Sequence, residues 1–151
     1  MINEKRAYDV AQATNILPKL MHYFSSSFKP CFEMPIKKNE VRTIIELYYH
    51  PGKPMKHYID SVDMESGSFT YLADKLEKKG IIKRTPSKND KRVNVLELTD
   101  KGKMVAKKLN NNFTLHISHL IKDLDDEDLK EMEEAIKSLE KVYEKLNLTN
   151  K

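Results

Sequence analysis

Apolar residues recur along this chain with two periods, and the switches between them mark out its elements. Residues 7 to 28 carry a helical pattern, with Pro18 either kinking it or opening a second turn. FKPCFEMPIKKNE, with two prolines, reads as a connector. Val41, Ile44, Ile45 and Tyr48 then fall at helical spacing until HPGKP, residues 50 to 54, ends that helix. A short helix fits 56 to 62, DMES forms a turn, and a helix follows from about 66 to 79. Its inner stripe is Phe69, Leu72, Ala73 and Leu76, and Gly80 supplies the stop.

The period then changes. IIKRTP and VNVLEL (93 to 98) read as strands, with residues 87 to 92 joining them. Thr99 can cap a helix running to about 122, with Val105, Leu109, Phe113, Ile117 and Leu120 facing inward. A last helix opens on the acidic residues Asp125 to Asp128, where the helix dipole favours negative charge. Along it Leu129, Met132, Ile136, Leu139, Tyr143 and Leu146 are spaced by 3, 4, 3, 4 and 3 residues. That stripe needs a partner surface, either its own domain or a second copy, and with few residues left for a core it is assigned to a dimer seam.

The expected fold is therefore mainly α: a winged helix-turn-helix with a two-stranded β-wing, plus N- and C-terminal helices. The boundaries are 1–36 for the N-terminal helix and connector, 37–102 for the winged unit and 103–151 for the C-terminal helices.

Charge sharpens this picture. Residues 53 to 108 hold 14 basic and 8 acidic side chains, a net +6, whereas residues 109 to 151 hold 6 and 10, a net −4. A basic middle beside an acidic end fits an anion-facing module attached to something else. A single cysteine, Cys31, excludes an internal disulfide framework and suits a reducing cytoplasm. The longest apolar stretch, ILPKLMHYF, is too short to span a bilayer, so no membrane partner is expected.

From Val41 to Gly102 the chain resembles the MarR family of winged-helix transcriptional regulators. VDMESGSFTYLADKLEKKGIIKR is similar to that family's turn and recognition helix, and NDKRVNVLELTDKG to its wing. Within the first, ESGSFT is closest to the peroxide-sensing, OhrR-like branch. The resemblance implies a homodimer, with the N- and C-terminal helices forming its dimerisation domain, that binds double-stranded DNA at a pseudo-palindromic operator, a repressor released by a small-molecule effector.

On the recognition helix Gly67, Tyr71, Asp74 and Lys78 lie opposite the inner stripe, flanked by Ser68 and Lys75. Ser66 and Ser68 sit at the helix N-terminus, where free N–H groups attract phosphate. Ser66, Gly67, Ser68, Thr70, Tyr71 and Lys75 are the expected DNA-binding residues of this helix. Asp74 would repel phosphate unless paired, and Lys78 is spaced to pair with it. On the wing Arg92 resembles the family arginine that enters the minor groove, and Asp90 its partner at the tip. Lys88, Lys91 and Arg84 complete the wing set as phosphate contacts.

Other chemistries leave weaker marks. No Gly-rich phosphate loop, metalloprotease histidine pair or nucleophile elbow occurs in the sequence, and no enzymatic role is expected. Cys31 is a thiol-sensing alternative, although it follows Pro30 in the connector rather than lying early in a helix. His116 and His119, three apart, make a zinc-responsive alternative, but with no carboxylate fixed beside them no metal or other cofactor is assigned. An effector pocket implied by the family's architecture would include His22, Tyr23, Cys31, Phe32 and Met34. A winged helix used purely for protein docking is the alternative from another class.

Overall fold

A computed structural model describes residues 4–30, 35–87 and 90–149. The elements are α1 (Glu4–Ala13), α2 (Ile16–Ser26), α3 (Lys38–Tyr49), β1 (Lys53–Pro54), α4 (Met55–Val62), α5 (Ser66–Lys78), β2 (Ile82–Pro86), β3 (Asn94–Leu98), α6 (Asp100–Ile121) and α7 (Asp126–Thr149). The chain divides into two compact units, Ser25–Leu115 and the combination of Met1–Phe24 with His116–Lys151.

The first unit is built around one core. Ile44 and Leu47 of α3, Tyr58 and Val62 of α4, Phe69, Leu72, Ala73 and Leu76 of α5, Ile81, Ile82, Leu96 and Leu98 around the sheet, and Ala106 and Leu109 of α6 form it. The expected α5 stripe is thus buried in full. Leu109 is buried as expected, whereas Val105 and Phe113 are only half-buried.

Two glycines set the joints. Gly80, at φ +68°, ends α5 in a Schellman motif: its N–H donates to Glu77 O (2.8 Å) and that of Ile81 to Leu76 O (2.9 Å). Gly102 lies where α6 crosses the strand entry, and a Cβ there would stand 2.0 Å from Ile81 O. Thr99 caps α6 as expected, its Oγ1 accepting the Gly102 N–H at 3.0 Å while its hydroxyl reaches Gly80 O at 2.6 Å.

The sheet has three strands, antiparallel, in the order β1-β3-β2, so the expected two-stranded wing gains a strand. β1 pairs Lys53 with Leu96 and Pro54 with Val95. Two residues, one a proline, carry no periodicity, and a proline is tolerated on a sheet edge because its missing N–H leaves no ladder gap. Fully buried Tyr58 secures this corner: its hydroxyl accepts the Lys53 N–H (3.0 Å) and donates to His50 O (2.7 Å). Burial, with Glu46 and Glu97 nearby, raises its pKa despite the Lys53 hydrogen bond.

In the second unit the expected N-terminal helix is two helices. The break falls at Thr14 and Asn15, and Pro18 sits in the first turn of α2, where its missing N–H costs nothing. The stripe of α7 is largely open: Leu129 and Met132 are half-buried, but Ile136, Leu139, Tyr143 and Leu146 are 51–57% exposed.

Candidate nucleic-acid interface

Helices α4 and α5 are joined by a three-residue turn in which Asp63 adopts the left-handed conformation (φ 54°). Short polar side chains such as aspartate tolerate that region, and the reversal lets α5 lay its apolar stripe into the core while presenting its opposite face outward. Ser66, Gly67, Ser68 and Thr70 are exposed, and Tyr71 is 74% exposed. Thr70 turns its hydroxyl back to Ser66 O (2.9 Å), so its Oγ1 belongs first to its own helix. No described atom outside the helix lies within 4 Å of a Cβ built on Gly67. The helix is bare there, and the space is open to an incoming surface.

An open groove of about 660 Å³ runs beside this face, between α5 and the N-terminus of α3. Lys37, Lys38 and Asn39 line one side, and Gly67, Ser68, Tyr71 and Lys75 the other. Its basic rim and exposed helix start suit a polyanion.

Arg84 stands elsewhere than expected. Its guanidinium donates to Asp74 Oδ1 at 2.5 Å and to Glu77 Oε2 at 2.6 Å, and its backbone N–H reaches Glu77 Oε1 at 3.3 Å. Arg84 is therefore a brace between the first wing strand and the recognition helix, with both terminal nitrogens of its guanidinium held by carboxylates. The same contact supplies the partner that Asp74 needs, in place of Lys78. The spacing of i and i+4 on one helix pointed to Lys78, but only the fold brings β2 against α5.

Glu40 was not singled out from sequence. Its side chain is 3% exposed and takes both Lys75 Nζ and Lys79 Nζ at 3.0 Å, while Lys37 N–H donates to it at 2.8 Å. Burial pushes this carboxyl up, but the hydrogen bonds from Lys37, Lys79 and Lys75 outweigh it and hold the pKa below the ordinary value. The available signal was a Glu three residues into a helix, the second half of a capping box. Lys37 in place of Ser or Thr at the cap hides it.

In the wing, β2 and β3 pair from Ile82↔Leu98 to Pro86↔Asn94. Beyond them Ser87 N–H reaches Val93 O (2.8 Å) and Val93 N–H reaches Asp90 O (3.0 Å). Asp90 does shape the tip, but through the Arg92 backbone N–H (2.9 Å to Oδ1), and the Lys91 and Arg92 residues are exposed. Lys88 lies outside the described residues, as do Cys31, Phe32 and Met34 of the expected effector pocket. His22 and Tyr23 are exposed on α2. His116 is half-buried and His119 exposed on α6, and among the described residues no group of three His, Cys, Asp or Glu is placed to hold a metal ion.

The model of the MarR family matches residues 36–93, from the start of α3 to the wing tip. The HTH-type transcriptional regulator MhqR of Bacillus subtilis is 33% identical over 95 residues, covering 62% of this chain and 66% of that one. The uncharacterized HTH-type transcriptional regulator YkoM of the same organism is 30% identical over 113 residues, covering 70% and 73%. Among solved structures, a MarR family protein from Bacillus stearothermophilus superposes with a TM-score of 0.66 at 14% identity, covering 95% of this chain and 99% of that one. Streptococcus pneumoniae FabT, solved in complex with DNA, gives 0.58 at 23% identity, covering 97% and 99%. At these identities the structures speak for the fold.

Proposed function

We propose that this chain, which belongs to the MarR family and is a DNA-binding transcriptional regulator, acts as a homodimeric repressor released by a small-molecule effector. Two recognition helices enter successive major grooves of a pseudo-palindromic operator, and the wings reach the flanking minor grooves. The supporting observation is the two-sidedness of α5: Phe69, Leu72, Ala73 and Leu76 are buried, while Ser66, Gly67, Ser68 and Tyr71 stand open beside a lysine-rimmed groove. Ser68 and Tyr71 read base edges, Lys75, Lys88 and Lys91 neutralise phosphates, and Arg92 enters the minor groove. The exposed stripe of α7 makes the dimer seam. The effector acts by changing the spacing of the two recognition helices, from a pocket that includes His22 and Tyr23.

The work of this protein is binding rather than catalysis, and it operates in the cytoplasm, where its DNA lies. No helix among the described residues is long and apolar enough to cross a membrane.

The test is fluorescence anisotropy on the intergenic DNA upstream of its own gene, with scrambled duplex as competitor and at two salt concentrations. Competitor-resistant, salt-sensitive binding at two subunits per duplex is expected, with Arg92→Ala weakening it by about 1–3 kcal/mol. Binding that is equal on both duplexes and indifferent to Arg92 would turn the reading towards a protein-docking winged helix.

A further inference from the structure

We propose that Glu40 is a positioning residue for DNA recognition: from beneath the recognition helix its carboxylate holds the Lys75 ammonium ready for a DNA phosphate. This rests on the DNA-facing reading of α5 given above. Glu40 belongs to the first turn of α3, and its two oxygens divide the work. Oε2 accepts the Lys37 N–H at 2.8 Å and so is fixed by the start of its own helix. Oε1 faces α5 and takes Lys75 Nζ and Lys79 Nζ, each at 3.0 Å.

The two lysines are not equivalent. Lys79 is the inner one, 19% exposed, and reaches Pro35 O at 3.4 Å as well. One ammonium suffices to neutralise a buried carboxylate, so the second leaves this cluster with a net charge of +1. The surplus falls on Lys75, which is 37% exposed and lines the groove together with Ser68 and Tyr71, seven and four residues before it on the same helical face.

An ammonium has three N–H donors, and one directed at Glu40 leaves others free for a phosphate oxygen. A lysine on an open helix face loses rotamer freedom when it binds, whereas one already tethered has less to lose. A buried acid next to a nucleic-acid surface thus assists an anion, through the cation it holds.

The test is a double-mutant cycle on binding to a mixed-sequence duplex of two to three helical turns, at two salt concentrations. Lys75→Met is expected to weaken binding about threefold to tenfold and to lower the salt slope by about one. Simple charge repulsion predicts that Glu40→Gln, which removes a negative charge, strengthens binding. Positioning predicts that it weakens binding, and that Lys75→Met then costs at least about threefold less than in the parent. Glu40→Asp keeps the charge but shortens the arm, so it should weaken binding in the same way, and it serves if the glutamine variant folds poorly. Stronger binding by Glu40→Gln, with an unchanged cost for Lys75→Met, would overturn the proposal while leaving the DNA-facing helix intact. If neither Lys75→Met nor Arg92→Ala alters duplex binding, the DNA-facing reading fails and the role of Glu40 fails with it.

Discussion

The winged unit and the terminal helices treat their apolar residues in opposite ways. In the winged unit Ile44, Leu47, Tyr58, Phe69, Leu76, Ile81 and Leu96 are fully buried, and α3, α4, α5, the sheet and the start of α6 all share one core. In the terminal helices Val10, Ile16, Met21, Ile136, Leu139, Val142, Tyr143 and Leu146 are each more than half exposed, and Phe24 is the only buried residue of α1 and α2. The first region satisfies its own hydrophobic pattern. The second has a pattern just as regular that this one chain leaves uncovered, which is why a second copy is proposed there.

The contrast yields measurements in descending order of effect. Ile136→Asp with Leu139→Asp should convert a dimer into a monomer in sedimentation equilibrium. Because two linked half-site contacts become one, DNA affinity should fall about 10³-fold. An unchanged mass would erase the distinction between the two regions. Gly102→Ala attacks the self-sufficient side, where a Cβ would collide with the Ile81 carbonyl. The nearest atoms belong to backbone rather than to a flexible side-chain tip, so a loss of about 3 kcal/mol in denaturant unfolding is expected. A loss below about 0.5 kcal/mol, the scale of an ordinary surface substitution, would mean that the crossing is looser than drawn.

Tyr58→Phe should cost about 1–3 kcal/mol, because it strands the Lys53 N–H and His50 carbonyl at the base of the wing. That cost should not vary with protein concentration, whereas the stability of the terminal helices should. The smallest effect concerns acid. The Glu40 carboxyl is held below its ordinary value of 4.5, so its contribution is present above that pH and is lost as pH falls through the lower folded-state value. The stability gap between parent and Glu40→Gln should therefore narrow below pH 4.5. A gap that is constant with pH would mean that the carboxylate is not held in its charged form.

Local order made much of the winged unit legible. The stripe from Phe69 to Leu76, the stop at Gly80, the cap at Thr99 and the strands either side of the wing tip each depend on residues within a turn or a strand of one another. β1 was not legible, since Lys53 and Pro54 form a strand only because Val95 and Leu96 are there to pair with them. The α1–α2 break was missed because Pro18 drew attention to itself and the turn at Thr14 and Asn15 did not. Arg84 misled for a related reason: a basic residue on a DNA-facing wing suggests phosphate, and the carboxylates that claim it lie seven and ten residues back on another element.

By itself, then, the sequence determined the order of elements from α3 to α7 apart from β1, the inner face of α5 and the place of the wing, because those follow from period, caps and turns. Only the tertiary structure decided how the charges are shared: Arg84 with Asp74 and Glu77, and Glu40 with Lys75 and Lys79. Hydrophobic burial follows a repeat that can be read along one helix. Ion pairs follow distance, and residues 35 and 39 positions apart in the chain are brought to 3.0 Å by the packing of α5 against the start of α3.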